Sequence, residues 1–358
     1  MIDGELPAQL PRRVDRFEAR ALVWAVDIKR LLPVPVALFA CLSLGQLTPR
    51  GYLCQRASEP IAIDGKLDDA AWADANWSEE FVDIEGGKKP KPRFRTRMKM
   101  LWDDNNLYIA ADLSEPHVRA TLTAHDSVIF HDNDFEVFLD PDGDGHLYSE
   151  LELNALNTTW DLLLIHPYRA GGPPVDGWEI AGLKTGVNVN GSINDPSNLD
   201  YGWTVEIAIP WTSLKQIAGC PTPPKDGDQW RINFSRVEWQ VEAVDGKYQN
   251  VAGTPEDNWV WSPQGVVNMH VPERWGYIQF ASGPGPLKPL PGWDEKLVLA
   301  KVWDAENAFR EKNGHWSGSL KELGITEDGV KLQITDDLFE ASYRGYKVDQ
   351  TLRFWKAK

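Results

Sequence analysis

A ten-residue segment, RFRTRMKMLW at 93–102, alternates apolar or hydroxyl side chains with basic ones. Successive side chains of a β-strand point to opposite faces, so this alternation predicts a strand with one buried face. The run DDNN at 103–106 then predicts a turn into a second apolar segment, LYIAADL. The chain therefore contains a β-hairpin, and its fold must cover one face of that hairpin.

Similar short segments recur between turn-forming residues as far as residue 281, and helical periodicity is weak among them. The further predicted strands are 135–140, 147–154, 158–165, 202–210, 229–239 and 275–280. One helix-like stretch lies at 68–75. Many short strands joined by Gly, Pro, Asp and Asn predict a mainly β protein, with an antiparallel, jelly-roll-like β-sandwich over residues 52–282.

The composition changes after the predicted sandwich. Residues 283–293, which include GPGPLKPLPG, have the composition of a linker. Asp294 can then cap a helix that ends at the Asn-Gly pair of residues 313–314. Strand-like segments follow this helix, so residues 294–358 are predicted to form a small α+β appendage that packs on the main domain.

The N-terminal residues resemble an export signal behind an extension. An apolar run, LLPVPVALFACLSLG at 31–45, follows Lys29 and Arg30 and is too short and too proline-rich for a membrane span. We expect residues 1–45 to comprise an upstream extension and a signal peptide. The mature protein would then be secreted, periplasmic or at the cell surface, without an integral membrane span. Lipidation at Cys41 and a buried N-terminal helix are alternatives.

Export changes the interpretation of the cysteines, because oxidising compartments permit disulfide bonds. Removing the predicted signal peptide leaves Cys54 and Cys220. We therefore predict a disulfide between these two residues, which would tie the start of the sandwich to a distant loop. Two unpaired, small core residues are the alternative.

Composition and charge exclude some classes of partner. Hydrophobic residues make up 42% of the chain and charged residues 25%, as is usual for globular proteins. The formal net charge of −16 disfavours binding to nucleic acid or to an anionic membrane surface. The 17 tryptophans can serve a sandwich core or sugar-binding platforms, and only their placement separates the two.

The segment HDNDFEVFLDPDGDGHLYSELELN, residues 131–154, contains eight acidic residues. Alternation places Asp134 and Glu136 on one face of a strand, and it places Glu150 and Glu152 together on the next strand. Opposed pairs such as Glu136 and Glu152 could therefore converge, as the two carboxylates of a glycosidase do. Alternating carboxylates more often mark the solvated face of a sheet, so catalysis is the less favoured interpretation.

Within that segment, DPDGDG resembles the start of a calcium-binding loop. Asp140, Asp142 and Asp144 occupy alternate positions, but the position of the usual bidentate glutamate is Leu151. The same residue types are ordinary turn formers, so we interpret the segment as a turn with optional structural calcium. Motifs for nucleophilic catalysis, phosphate, dinucleotide or zinc are absent from the sequence, so we expect no organic cofactor and favour a non-enzymatic protein.

Taken together, six segments of the chain resemble carbohydrate-binding module family 9. They are PIAIDGKLDDAAW (60–72), MLWDDNNLYIAADL (100–113), HDNDFEVFLDPD (131–142), YGWTVEIAIPW (201–211), GDQWRINFSRVEW (227–239) and VPERWGYIQF (271–280). Their order and spacing match the family over roughly residues 57–281. The resemblance implies a β-sandwich, non-catalytic binding of sugars or plant polysaccharide ends, and structural calcium.

The resemblance also implies a binding site that is altered in this chain. In the family's sugar binders two tryptophans sandwich the terminal sugar, and Phe130 and Met269 stand at those positions here. Glu136 matches a family glutamate and Asn154 matches a polar sugar contact, whereas Glu152 stands where an arginine is expected. The apolar clamp is therefore weaker, while the polar contacts of Glu136 and Asn154 are retained.

A different tryptophan could replace the lost platform. Candidates are Trp160, Trp178, Trp259 and Trp261, of which Trp261 in the loop segment NWVWSP is preferred. Core or loop packing is the alternative for each of them.

The sequence therefore predicts an exported, monomeric, non-catalytic protein that binds carbohydrate and is associated with polysaccharide breakdown. One alternative is a cell-surface structural or interaction protein that has lost sugar binding. Another is a glycoside hydrolase-associated or haem-binding sandwich. Met269 and His270 are potential haem ligands, although adjacent residues cannot both occupy the axial positions of one iron.

Overall fold

The structure is a computed structural model that describes residues 48–357, all of which belong to one compact unit. The predicted extension, signal peptide and Cys41 lie outside the described residues. Among residues 48–357, none of the helices combines the length and the apolar character that a bilayer span needs.

The described residues form nineteen strands and two α-helices. The strands are β1 Gly51–Arg56, β2 Val82–Asp83, β3 Thr96–Trp102, β4 Asn106–Ser114, β5 Asp134–Asp140, β6 Tyr148–Asn154, β7 Thr159–Leu164, β8 Pro174–Val175, β9 Lys184–Asn190, β10 Gly202–Pro210, β11 Gln229–Glu238, β12 Val241–Val244, β13 Lys247–Asn250, β14 Asp257–Val260, β15 Gly276–Ala281, β16 Lys331–Thr335, β17 Leu338–Tyr343, β18 Tyr346–Asp349 and β19 Phe354–Lys356. The helices are α1 Trp211–Leu214 and α2 Trp293–Asn313. Short 3-10 turns cover Ala70–Asp74, Gly86–Lys88, Ile129–His131, Tyr168–Ala170 and Pro272–Arg274.

Thirteen strands join in one curled sheet, with the order β8-β7-β6-β5-β11-β15-β1-β3-β4-β10-β9; β14 pairs with β11, and β2 with β14. Within this sheet β1 runs parallel to both of its neighbours, β15 and β3. The large apolar core takes side chains from β5, β6 and β11 and from β3, β4 and β10, so the two halves of the sheet pack face to face. This arrangement confirms the predicted mainly β sandwich.

The first predicted hairpin has a simple local cause. Strands β3 and β4 pair antiparallel with Trp102 opposite Leu107. In the turn between them, Asp103 Oδ1 accepts hydrogen bonds from the backbone amides of Asn105 and Asn106, both at 2.7 Å. The side chain thereby satisfies two amides that the strands leave unpaired, and the predicted hairpin is confirmed.

The predicted disulfide is wrong for this structure, because Cys54 and Cys220 are both free thiols. Cys54 lies on β1 and is fully buried in the main core, where burial raises the pKa of its thiol. Cys220 lies in a loop and packs against the edge of the same core. Burial, with Asp142 nearby, raises its pKa to about 12. Both cysteines therefore pack in the main core as small apolar side chains.

Residues after the linker form their own layer, in which α2 packs against the four-stranded sheet β16-β17-β18-β19. Helix α2 begins at Trp293, and its N-cap is Gly292 in the left-handed conformation with φ of 74°. Asp294 lies in the first turn of α2, so its predicted role as the cap is wrong. The predicted end is confirmed, because Gly314 at φ of 79° follows Asn313 as the C-cap.

Candidate functional site

Four acidic residues project from one face of β5 and β6. The strands pair antiparallel with Glu136 directly opposite Glu152. Since side chains alternate along a strand, Asp134 and Glu150 lie on the same face as this pair. We call Asp134, Glu136, Glu150 and Glu152 the sheet-face cluster.

The sheet-face cluster is buried, although alternating acids usually mark a solvated face. The exposed fractions are 0% for Asp134, 4% for Glu136, 5% for Glu150 and 1% for Glu152. A small apolar cluster covers this side of the strands; it combines Phe138, Tyr148 and Leu162 of β5–β7 with Met269 and Trp275, which are distant in the sequence. The opposite side of β5 and β6 faces the main core. The solvated face expected from the sequence is therefore wrong.

Burial raises the pKa of all four carboxyl groups. The pKa of Glu136 rises to about 7. Those of Asp134, Glu150 and Glu152 rise well above the ordinary range, because each also feels neighbouring carboxylates. Within residues 48–357, neither Lys nor Arg forms an ion pair with the cluster. The cluster therefore concentrates acceptor oxygens without a protein counter-charge.

The basic group recorded nearest to the cluster is a histidine. His270 Nε2 lies 4.0 Å from Glu150 Oε2, and His270 Nδ1 lies 2.9 Å from Tyr148 Oη. Burial lowers the pKa of His270 to about 3, so the ring is neutral at physiological pH. The half-exposed ring of Tyr168 contacts His270 edge-on, with 4.4 Å between the ring centroids.

Tyr168 belongs to this region but was not predicted as a site residue, and His270 was considered only as a haem ligand. Period-2 alternation places Tyr148 on the same face as Glu150. Tyr168 and His270 come from loops elsewhere in the chain, so no local sequence pattern brings them to β6.

Aromatic side chains border the sheet-face cluster. Trp160 on β7 lies directly opposite Glu152 and is half-buried. The backbone amide of Phe130, also half-buried, donates a hydrogen bond to Glu152 Oε2 at 3.0 Å. The structure therefore brings three of the predicted site residues, Phe130, Glu136 and Glu152, to one region. Met269 lies in the apolar cluster on the same face and is 8% exposed.

Asn154 has a structural role that leaves it no free polar atom. Its Nδ2 donates to Leu122 O and to Asp132 Oδ2, and its Oδ1 accepts from the amides of Leu156 and Thr158. An asparagine amide has two donor hydrogens and two acceptor lone pairs, and all four are used. The predicted sugar contact of Asn154 is therefore not available in this structure.

The predicted platform in NWVWSP is wrong. Trp261 is 0% exposed and packs in the main core, where its ring meets Phe234 edge-on at 6.0 Å. Trp259 is 3% exposed and lies in the same core. Neither ring presents a face to a ligand. Among the tryptophans proposed as substitutes, Trp160 is the one that lies beside the predicted site.

The turn between β5 and β6, residues 140–145, is built by its own aspartates. Asp140 accepts hydrogen bonds from the amides of Gly143 at 3.0 Å and Gly145 at 2.9 Å. These glycines have φ of 66° and 83°, a conformation that favours glycine. We call Asp140, Asp142 and Asp144 the acidic turn. The hydrogen bonds between the Asp140 carboxylate and the backbone amides explain the shape of this turn without an ion.

Basic residues of the C-terminal layer neutralise the acidic turn. Lys296 of α2 donates to the carbonyl oxygen of Gly143, and its charge opposes the rise in the pKa of Asp140 and of Asp142. Arg353 Nε lies 2.8 Å from Asp144 Oδ2. A calcium ion here would compete with these groups. The three aspartates therefore suit a turn that is stabilised by Lys296 and Arg353 better than a site for calcium.

Comparisons with known proteins identify the family of this chain. The family model "Carbohydrate family 9 binding domain-like" matches residues 63–260, more than half of the chain. The exoglucanase XynX of Acetivibrio thermocellus is 27% identical over 216 residues. That match covers 58% of this chain, but the chain spans only 17% of the relative.

Similar solved structures include two of a carbohydrate-binding module family 9 from Caldicellulosiruptor kristjanssonii. The complex with cellotriose is 18% identical with a TM-score of 0.43, and the complex with glucose is 17% identical with a TM-score of 0.44. Each match covers 67% of this chain and 100% of that module. A putative carbohydrate-binding protein from Bacteroides uniformis is 16% identical with a TM-score of 0.47, over 65% of this chain and 99% of that one. On the strength of the family match, this chain belongs to the carbohydrate family 9 binding domain-like family.

Proposed function

We propose that this protein binds carbohydrate, without cleaving it, at the face of β5–β7 that carries the sheet-face cluster. Family membership supports the class of ligand. The observation that carries the location is the pairing of Glu152 with Trp160 on adjacent strands. Trp160 is the partly exposed member of this pair, and an aromatic face stacks on the apolar face of a sugar ring.

The geometry also supports the non-catalytic part of the proposal. A glycosidase holds its two carboxyl groups on either side of a bond in an open cleft, so that water or substrate lies between them. Here Glu136 and Glu152 are opposed on adjacent strands and almost fully buried. They therefore do not face each other across an open cleft.

The proposal also covers where the protein acts and in which process. We infer that the mature protein acts as an exported monomer in polysaccharide breakdown. The sequence match to a segment of the exoglucanase XynX supports this setting.

The test compares two tryptophan variants. Purified wild type, Trp160→Ala and the control Trp77→Ala are titrated calorimetrically with glucose and cellotriose and mixed with insoluble cellulose and xylan. Trp77 is also half-buried, but it lies under Arg97, with 4.0 Å between the guanidinium carbon and the ring centroid.

Wild type and Trp77→Ala are expected to bind alike. Trp160→Ala should weaken binding by about fivefold, because an aromatic contact contributes roughly 1 kcal/mol. Equal affinities of the two variants would exclude Trp160 as the platform. No binding of any glycan by wild type would overturn the function, and release of reducing sugar would overturn its non-catalytic part.

A further inference from the structure

The sheet-face cluster presents an electrostatic problem that the protein itself does not solve. Burying an ionised carboxylate is costly unless the charge is paired, hydrogen-bonded or bound to a metal. Each of the four acids is at least 95% buried, since none exceeds 5% exposure. Among the described residues, the basic partner recorded for the cluster is the neutral His270.

The spacing of three of these acids suits a single ion. One carboxylate oxygen from each of Asp134, Glu136 and Glu152 lies within 4.8 Å of the others. Calcium binds oxygen at about 2.3–2.6 Å, so an ion placed between two such oxygens spans roughly 4.6–5.2 Å. The donors are all hard oxygens, which select calcium or magnesium over zinc or copper.

One carboxylate oxygen of the cluster lacks a partner. Asp134 Oδ1 accepts a hydrogen bond from the amide of Val237 at 2.9 Å, but Asp134 Oδ2 makes no hydrogen bond. Ser235 is 0% exposed and lies opposite Glu136 in the pairing of β5 with β11, where its hydroxyl faces the Glu136 carboxyl group. Buried polar groups are nearly always satisfied, so the free oxygen of Asp134 indicates a missing partner.

We infer that Asp134, Glu136 and Glu152 form a binding site for one divalent cation, calcium by its chemistry, with the Ser235 hydroxyl as a neutral oxygen beside it. The ion would satisfy the unpartnered carboxylate oxygen and supply the positive charge that the protein lacks at this point. The site shares a face with the proposed sugar site but does not rest on that function.

The experiment measures the metal without any sugar. The full chain is treated with EDTA, freed of chelator and titrated calorimetrically with calcium chloride at pH 7.5; bound metal is then counted by mass spectrometry. Glu152→Gln keeps the shape of the side chain and removes its charge. Asp142→Asn makes the same kind of change at the acidic turn and serves as the control.

Wild type and Asp142→Asn should each bind one calcium ion per chain, whereas Glu152→Gln should bind it at least roughly 10- to 100-fold more weakly. Calcium binding should also release protons, seen as a dependence of the heat on the buffer, because ligand carboxylates must be deprotonated. No calcium bound by wild type would overturn the inference, as would unchanged binding by a folded Glu152→Gln variant. Loss of binding in Asp142→Asn alone would assign the ion to the acidic turn instead. Because the titration contains no sugar, failure here and failure of the proposed carbohydrate binding are separate results.

Discussion

The acidic turn and the sheet-face cluster belong to the same β5–β6 hairpin, yet their charges are compensated differently. At the turn, Lys296 and Arg353 reach in from the C-terminal layer. At the sheet face, residues 48–357 supply neither Lys nor Arg as an ion-pair partner. The turn is also partly in water, since Asp142 is exposed, whereas the sheet-face acids are buried.

The comparison shows that acidic residues alone do not mark a metal site. The DPDGDG turn has the more familiar pattern, but its carboxylates already have backbone amides and protein cations as partners. The sheet-face acids follow no calcium-loop pattern, but they retain an unpartnered buried oxygen on Asp134. The unmet requirement for a partner, rather than the density of acids, distinguishes the two regions.

The largest effect is expected from removing the turn's internal cation. Lys296→Met should lower the free energy of unfolding at pH 7 by roughly 3 kcal/mol, because it removes the buried cation that contacts the turn and leaves Arg231 as the buried cation beside Asp140. Urea denaturation followed by circular dichroism measures the change.

Lys301→Met is the matched control on the same helix. Lys301 pairs with Glu327 at 2.7 Å but is 54% exposed, so its loss should cost less than about 1 kcal/mol. Equal losses of unfolding free energy in the two variants would show that the acidic turn does not depend on Lys296. The acidic turn and the sheet-face cluster would then not differ in the way proposed.

A smaller effect is expected at the sheet face, where it depends on pH. The pKa of Glu136 is raised from 4.5 to about 7, so the folded protein binds this proton more tightly than the unfolded chain does. The contribution of this group to stability is therefore fully present below pH 4.5 and is lost as the pH rises through 7. Without metal, the free energy of unfolding of Glu136→Gln should gain roughly 2 kcal/mol on that of wild type between pH 5 and pH 8.

Unfolding in EDTA at pH 5, 6, 7 and 8 tests this prediction. Glu340→Gln is the control, since Glu340 pairs with Lys347 across β17 and β18 and lies outside the sheet-face cluster. If the free energies of unfolding of wild type and Glu136→Gln fall in parallel as the pH rises, Glu136 is not the group that titrates.

The sequence predicted the strands and the shared face of this hairpin well, because alternation is a local property. Asp134, Glu136, Glu150 and Glu152 were placed together by period alone, and the pairing of Glu136 with Glu152 confirms it. Their burial could not be predicted in the same way. The cover comes from Met269 and other residues more than 100 positions away, which no local pattern links to β5 and β6.

The other incorrect predictions also fail because they depend on contacts between residues that are distant in the sequence. The sequence around Trp261 resembles an exposed loop, but the ring turns into the main core. Cys54 and Cys220 contact the same core without forming a bond. Lys296 was read only as part of a helix, because its contact with Gly143 joins positions 153 residues apart.

The smallest effect is expected from the outer cation of the acidic turn. Arg353 is 55% exposed and its partner Asp144 is 13% exposed, so Arg353→Gln should cost less than about 1 kcal/mol and less still at high salt. In the Lys296→Met background the same change should cost more, because the turn then keeps Arg353 as its ion-pair partner and has lost the Lys296 contact, so that the two positions are no longer independent. A double-mutant cycle by urea denaturation measures this coupling. Strict additivity would mean that Lys296 and Arg353 act on separate charges, and the acidic turn would then be two unrelated ion pairs rather than one braced unit.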